Sequence, residues 1–491
     1  MIANPGRRGE IAQCRTRRFS LDTAMLTFQD AVLSDARMRR RQFLRVGGLA
    51  LGGLTLSDLF AVRALAKARK QTLNDKSVIF LFMHGGPSQF ETFDPKMDAP
   101  AGIRSATGEV KTTLPGITFG GTFEKLARLA HKFSIVRSFV TGDGNHDIKP
   151  IMGKETFGAN MGSLYSRIAG PLRSDTAMPT NVALFPRAVN ADAGPAITQF
   201  GDFSATADLG MAYAPFVPGA GNGLQQDMRL NLPQQRLNDR RTLLSALDQW
   251  KRWTDTSGLV EGLGAFQQQA FDTLLRGVSD AFDLSREDPK VIERYDTAPL
   301  VPKQRISSVW NNREHYADHA ATLGKLLLMA RRLCERGCGF VTVTTSFVWD
   351  MHADVNNATM TEGMGYVGVP FDHAVSAFIE DVEARGLSDK ILLVCCGEMG
   401  RSPALNTSGG RDHWGNLAPL MLYGGGLKMG QVIGQSSRNG GEPASDPVTL
   451  QDLMATIMHT LLDTSEVRVT NSLPKNLIEA VTRGEPIKGL I

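Results

Sequence analysis

Residues 394–416 read VCCGEMGRSPALNTSGGRDHWGN: an apolar run stops at Glu398, and a glycine-rich loop then ends in Arg411-Asp412-His413-Trp414. Other apolar runs end in the same way. FLFM passes into His84-Gly85-Gly86-Pro87-Ser88, and TTSFVW passes into Asp350-Met351-His352. The polar groups are imidazoles and carboxylates, without a well-placed thiol. Such N/O donors suit zinc, manganese or iron better than a soft-metal site, and carboxylates with open positions suit Lewis-acid hydrolysis. Asp350 and His352 are two residues apart, so in an extended segment both side chains leave the same face and can converge. The expected metal ligands are therefore His84, Asp350, His352, Glu398, Asp412 and His413, with zinc the first choice of ion and manganese, iron or calcium behind it. A fourth run, FSIVRSFV, leads into TGDGNHD, which carries Thr141, Asp143, His146 and Asp147. That loop reads equally as an anion-holding turn at a helix start or as a solvated Asn/Asp turn. His315 and His319 lack the intervening glutamate of a zinc-protease helix, and His131 and His459 lie in helix-like patterns that give them a structural role.

These groups need a scaffold that brings strand ends together. SVIFLFM (77–83), FSIVRSFV (133–140), FVTVTTSFVW (340–349) and KILLVCC (390–396) are nearly continuous apolar runs, the pattern of strands covered on both faces of a parallel sheet. NVALF (181–185) and PLMLY (419–423) read as shorter strands. Between them, FDHAVSAFIEDVEARG sets Ala374, Val375, Phe378, Ile379 and Val382 on one helical face and stops at Gly386. HAATLGKLLLMARRLCERG likewise leads into the strand at 340. The fold class is thus α/β, a mostly parallel sheet sandwiched by helices. In open sheets of this kind ligands bind outside the carboxyl ends of the strands. Residues 187–320 have no strong strand pattern and read as a helical insertion or cap within a single domain spanning 67–491.

The chain has 491 residues and a formal charge of +4, but residues 1–66 hold eleven arginines against five acidic residues, so the basic excess is local. Nucleic acid is therefore not an expected partner. Within that segment MRRRQFLRVGGLALGGLTLSDLF resembles a twin-arginine export signal around Arg40-Arg41, with a small-x-small site at Ala64-Leu65-Ala66. Its apolar part is far shorter than the ~20 residues that span a bilayer, so no stable membrane span is expected after processing. The expected location is the periplasm or cell envelope. Cys395 and Cys396 are neighbours on a strand and point to opposite faces, which argues against a disulfide framework.

FLFMHGGPSQFETFDPK, FDLSREDPKVIERYD, FVTVTTSFVWDMHADV, GEMGRSPALNTSGGRDHWGN and KMGQVIGQSS, in this order, resemble an exported bacterial family known as domain of unknown function 1501. That family is similar to sulfatases and the wider alkaline phosphatase superfamily. The resemblance implies a metal-bearing hydrolase fold in which Asp350 and His352 match the superfamily's Asp-His metal pair, Glu398 its later strand-end carboxylate and His413 its last histidine. His84 stands where the superfamily usually has an aspartate, and no C/S-x-P-x-R nucleophile motif follows the strand at 133–140. The expected function is hydrolysis of a sulfate or phosphate ester, of a small molecule or a polysaccharide. Thr141 or a metal-bound water would attack, with His146 the other residue that could serve as nucleophile; His146 or His413 would move protons, and Arg401 or Arg411 would hold the anion. The alternative is a non-catalytic envelope or polysaccharide-binding protein that keeps the fold.

Overall fold

The computed structural model describes residues 72–219 and 278–491. The twin-arginine segment and the middle of the 187–320 insertion lie outside the described residues. Eleven strands occur among them: β1 (Ser77–Phe82), β2 (Glu109–Lys111), β3 (Thr118–Gly120), β4 (Ser134–Val136), β5 (Asn181–Leu184), β6 (Phe340–Thr344), β7 (Ile391–Cys396), β8 (Gly400–Leu405), β9 (Arg411–Trp414), β10 (Leu420–Gly424) and β11 (Val432–Ile433). Seven of them form one sheet in the order β11-β4-β10-β7-β1-β6-β5, while β2-β3 and β8-β9 are separate hairpins.

The pairs β1/β6, β1/β7, β5/β6 and β11/β4 are parallel, and β10 runs antiparallel between β7 and β4. The apolar runs are long because both faces are covered. Val78, Phe80 and Phe82 point into one core, Ile79 and Leu81 into the other. The first core lies under α1 (Met161–Ala169) and α4 (Leu450–Leu461), the second under α2 (Arg313–Glu335) and α3 (Met360–Ala384). Cys396 and Cys395 divide between the two cores in the same way, and the four cysteines among the described residues are free.

Register decides where the site can form. Phe82 lies opposite Thr344 and Cys396, so β1, β6 and β7 end level. Because β10 is reversed, its first residue, Leu420, pairs with Cys396 and with Val136, the last residue of β4. The loop entering β10 therefore arrives at the edge where β1, β4, β6 and β7 end. Among the described residues of 187–320, short helical turns and α-helical segments link β5 to α2.

Candidate metal centre

Each strand end delivers one part of the site. The segment beyond β6 carries Asp350 and His352, the loop after β4 carries His146, and β9, on the way into β10, carries His413. One donor atom from each of His146, Asp350, His352 and His413 lies within 4.8 Å of the others. Asp350 Oδ1 is the hub: it is 3.5 Å from His146 Nε2, 3.0 Å from His352 Nε2 and 3.5 Å from His413 Nε2.

A buried carboxylate orients one ring, and an exposed one lies near a second. Glu398, fully buried, accepts at 3.0 Å from His146 Nδ1 and at 2.9 Å from the Gly85 N–H. Asp412 Oδ1 lies 3.5 Å from His352 Nδ1. In both rings the carboxylate side is Nδ1 and the site side is Nε2, and for His146 the hydrogen bond to Glu398 is the arrangement by which an outer carboxylate fixes the tautomer of a ligating histidine. Burial alone would raise the Asp350 pKa, but the three imidazoles and the Arg401 guanidinium hold it well below the ordinary carboxylate range. Burial would lower the His146 pKa, yet Asp350 and Glu398 more than reverse this and it is raised.

The residues fit a divalent ion. His146 Nε2 and His413 Nε2 are buried and make no hydrogen bond, which leaves their lone pairs available. Around a tetrahedral ion with bonds of about 2.1 Å, neighbouring donors lie about 3.4 Å apart, close to the 3.0–3.5 Å between Asp350 and the three histidines, and all four donors lie within 4.8 Å of one another. Three imidazoles and one carboxylate favour zinc, then manganese or iron, over calcium, whose usual ligands are all oxygens.

The other expected residues are placed differently. His84 is 1% exposed, both its ring nitrogens lack partners, and Phe82, Phe200, Phe203 and Phe347 surround it. It is not one of the four convergent donors, and burial pushes its pKa down to about 4. The Phe200 and Phe347 rings, stacked at 4.7 Å, also flank His146. Asp412 is exposed, on the solvent side of His352. The Thr141 hydroxyl is buried and faces the Gly415 carbonyl at 3.5 Å. Asp143 and Asp147 both pair with Lys149.

The two arginines correct the expectation that one would hold an anion. Arg411 is fully buried, binds both Glu91 oxygens and the carbonyls of Ile103, Arg104, Ser402 and Pro403, and lies 4.3 Å above the Phe90 ring. Arg401, also fully buried, donates to Asp350 Oδ1 at 2.6 Å, to His352 Nε2 at 3.2 Å and to the carbonyls of Gly85, Gly86 and Arg411. Neither guanidinium has a free edge. Two residues that motif reading missed are Glu91, which takes up Arg411, and Asn357, whose Nδ2 donates to Asp350 Oδ2 at 3.3 Å. An acid inside the aromatic stretch FETF was the one visible signal, for Glu91.

The chain matches the family described as "Protein of unknown function (DUF1501)" over residues 75–491 and belongs to it. No curated protein matches the chain. Among solved structures it is similar to the PsFucS1 sulfatase from Pseudoalteromonas sp., at 12% identity over 88% of this chain and 76% of that one, with a TM-score of 0.36. It is also similar to the lipoteichoic acid synthase LtaP from Listeria monocytogenes (7%, 81% and 77%, 0.30) and to the alkaline phosphatase of the Antarctic bacterium TAB5 (11%, 75% and 96%, 0.26). Likenesses at these identities and scores say nothing about what the chain does.

Proposed function

We propose that the protein is an exported, metal-dependent hydrolase of sulfate or phosphate esters, with His146, Asp350, His352 and His413 as the ligands of a divalent ion. The observation that carries this reading is the convergence of these four donors at one sheet edge, with the His146 ring oriented by a hydrogen bond to the buried Glu398 carboxylate. An ion held there would polarise an ester oxygen and bring the pKa of a water bound to it down to near neutral. The chain's own part is to hold the donors. Glu398 fixes His146, Asn357 and Arg401 fix Asp350, and the Phe200–Phe347 pair keeps water from one side. Thr141 faces a carbonyl, which gives it no base and favours direct attack by water over a covalent route.

The buried arginines favour a second reading, a non-catalytic polysaccharide-binding protein, because the expected anion holders are occupied. Hydrolysis of aryl sulfates, phosphate monoesters, diesters and sulfated polysaccharides by metal-replete protein separates the two. Turnover of any of these, with Thr141→Ala changing it less than about threefold, supports the enzyme and the water route. No turnover across several metals and pH values, with polysaccharide still bound, supports the binding protein.

A further inference from the structure

Arg401 is a cation placed where a second cation is expected. Its Nη2 contacts Asp350 Oδ1 at 2.6 Å, and its Nη1 lies 3.2 Å from His352 Nε2. These are two of the atoms that would hold a metal ion. The guanidinium is fully buried, and its remaining donors reach backbone carbonyls of three different strand-end segments: Gly85 and Gly86 after β1, Trp349 after β6, and Arg411 in β9. It is thus fastened to the frame of the site and not to its solvent side.

An imidazole Nε2 has one lone pair in the ring plane, so it can accept an Arg401 N–H or face an ion, but not both. A guanidinium and a divalent ion that share one buried carboxylate oxygen also repel each other in a weakly screened interior. Resting on the metal-site reading above, we infer that Arg401 is a resident counter-cation. It stabilises Asp350 and holds His352 when the ion is absent, and it opposes the ion when the ion arrives. Metal binding then requires Arg401 Nη1 to release His352 Nε2. The site is preorganised and still stable when empty, because its buried carboxylate never lacks a positive partner, at the expense of metal affinity.

This assigns Arg401 a positioning role that differs from simple architecture in the direction of one effect. Arg401→Gln, which keeps polar donors and removes the charge, destabilises the empty site more than the filled one. The parent, Arg401→Gln and Arg401→Lys are purified, stripped with chelator and titrated with zinc against a competing chromophoric chelator. Melting temperatures are recorded with and without zinc. The expected result is zinc binding at least tenfold tighter in Arg401→Gln than in the parent, a lower melting temperature of the stripped variant and a larger zinc-induced rise. Arg401→Lys, which keeps the charge, should remain nearer the parent.

Weaker zinc binding in Arg401→Gln than in the parent, or an unchanged zinc-induced rise, overturns the inference and leaves Arg401 as architecture. Zinc binding in neither the parent nor Arg401→Gln overturns the metal-site reading itself. Should the variants not fold, parent protein carrying 15N-labelled arginine decides the matter. Saturating zinc should shift the guanidinium resonances of a solvent-protected arginine, and an unchanged spectrum of zinc-loaded protein overturns the inference.

Discussion

Glu398 touches a backbone N–H on one side and an imidazole on the other, so a single strand-end carboxylate joins the β1 loop to His146. Glu398→Gln keeps the shape but offers His146 a weaker, uncharged acceptor. It is expected to lower metal affinity by roughly 10–100-fold, measured by chelator competition; unchanged affinity would remove Glu398 from the site. A second prediction concerns pH. Burial pushes the pKa values of His84 and His319 down to about 4, whereas an unfolded histidine titrates near 6.5. Between these values the unfolded chain takes up protons that the folded chain refuses, so stability falls as pH drops from about 6.5 towards 4. The effect is at most ~3 kcal/mol for each residue. Asp372, raised to about 6 by burial, and His146, raised by Asp350 and Glu398, act in the opposite sense and offset part of the loss. The urea midpoint of chelator-treated protein should therefore fall between pH 7 and 4.5, and a rising midpoint would contradict neutral buried imidazoles. His84→Phe should flatten the slope without loss of metal, because His84 is outside the four donors. Asp350, His352 and His413 were legible in the sequence because each lies at or near a recognisable strand end or motif. The part played by His146 was not, since it sits well past the end of β4 and no spacing links it to β6. Arg411 misled because its partner, Glu91, is remote in sequence.

At the scale of elements, the reversed β10 and one glycine align the edge. Gly85 has φ +115°, and an added Cβ would lie 2.6 Å from the Asp350 nitrogen. Its N–H and carbonyl serve Glu398 and Arg401. Gly386, also at positive φ (+65°), has open space around it. Gly386→Ala should therefore cost only the backbone penalty of about 1–2 kcal/mol. Gly85→Ala adds a backbone collision and should exceed ~3 kcal/mol, the range of severe substitutions. Urea denaturation compares them, and equal costs would mean that the β1 loop is free to move. The strands were readable from unbroken apolarity, but the direction of β10 was not, because apolar runs carry no sense of direction. Helix starts were also missed. Gly363, Gly365, Gly368 and Pro370 are strong breaker signals, yet α3 begins at Met360 behind the Thr359 cap, and Gly363 and Gly368 allow Met351 and Thr122 to approach closely. Tertiary packing overrode local propensity there.

For the whole molecule, the basic excess at residues 1–66 belongs to the proposed export signal and not to the α/β body. No helix of the described residues is long and apolar enough to cross a membrane. Replacing Arg40 and Arg41 by lysine should leave unprocessed precursor in the cytoplasm, followed by fractionation and immunoblotting, and efficient export of that variant would contradict the twin-arginine reading. The body is built on one seven-stranded sheet with a core on each face, so the site occupies an edge that the core does not need. Removing ligands should accordingly empty the site without unfolding the chain. The most direct test is elemental analysis of protein purified without chelator, alongside His352→Ala, His413→Ala and Asp350→Asn. The expected result is a stoichiometric divalent ion in the parent, zinc first, and strongly reduced occupancy in all three folded variants. A parent free of metal that takes up none on titration, or variants as fully loaded as the parent, would contradict it.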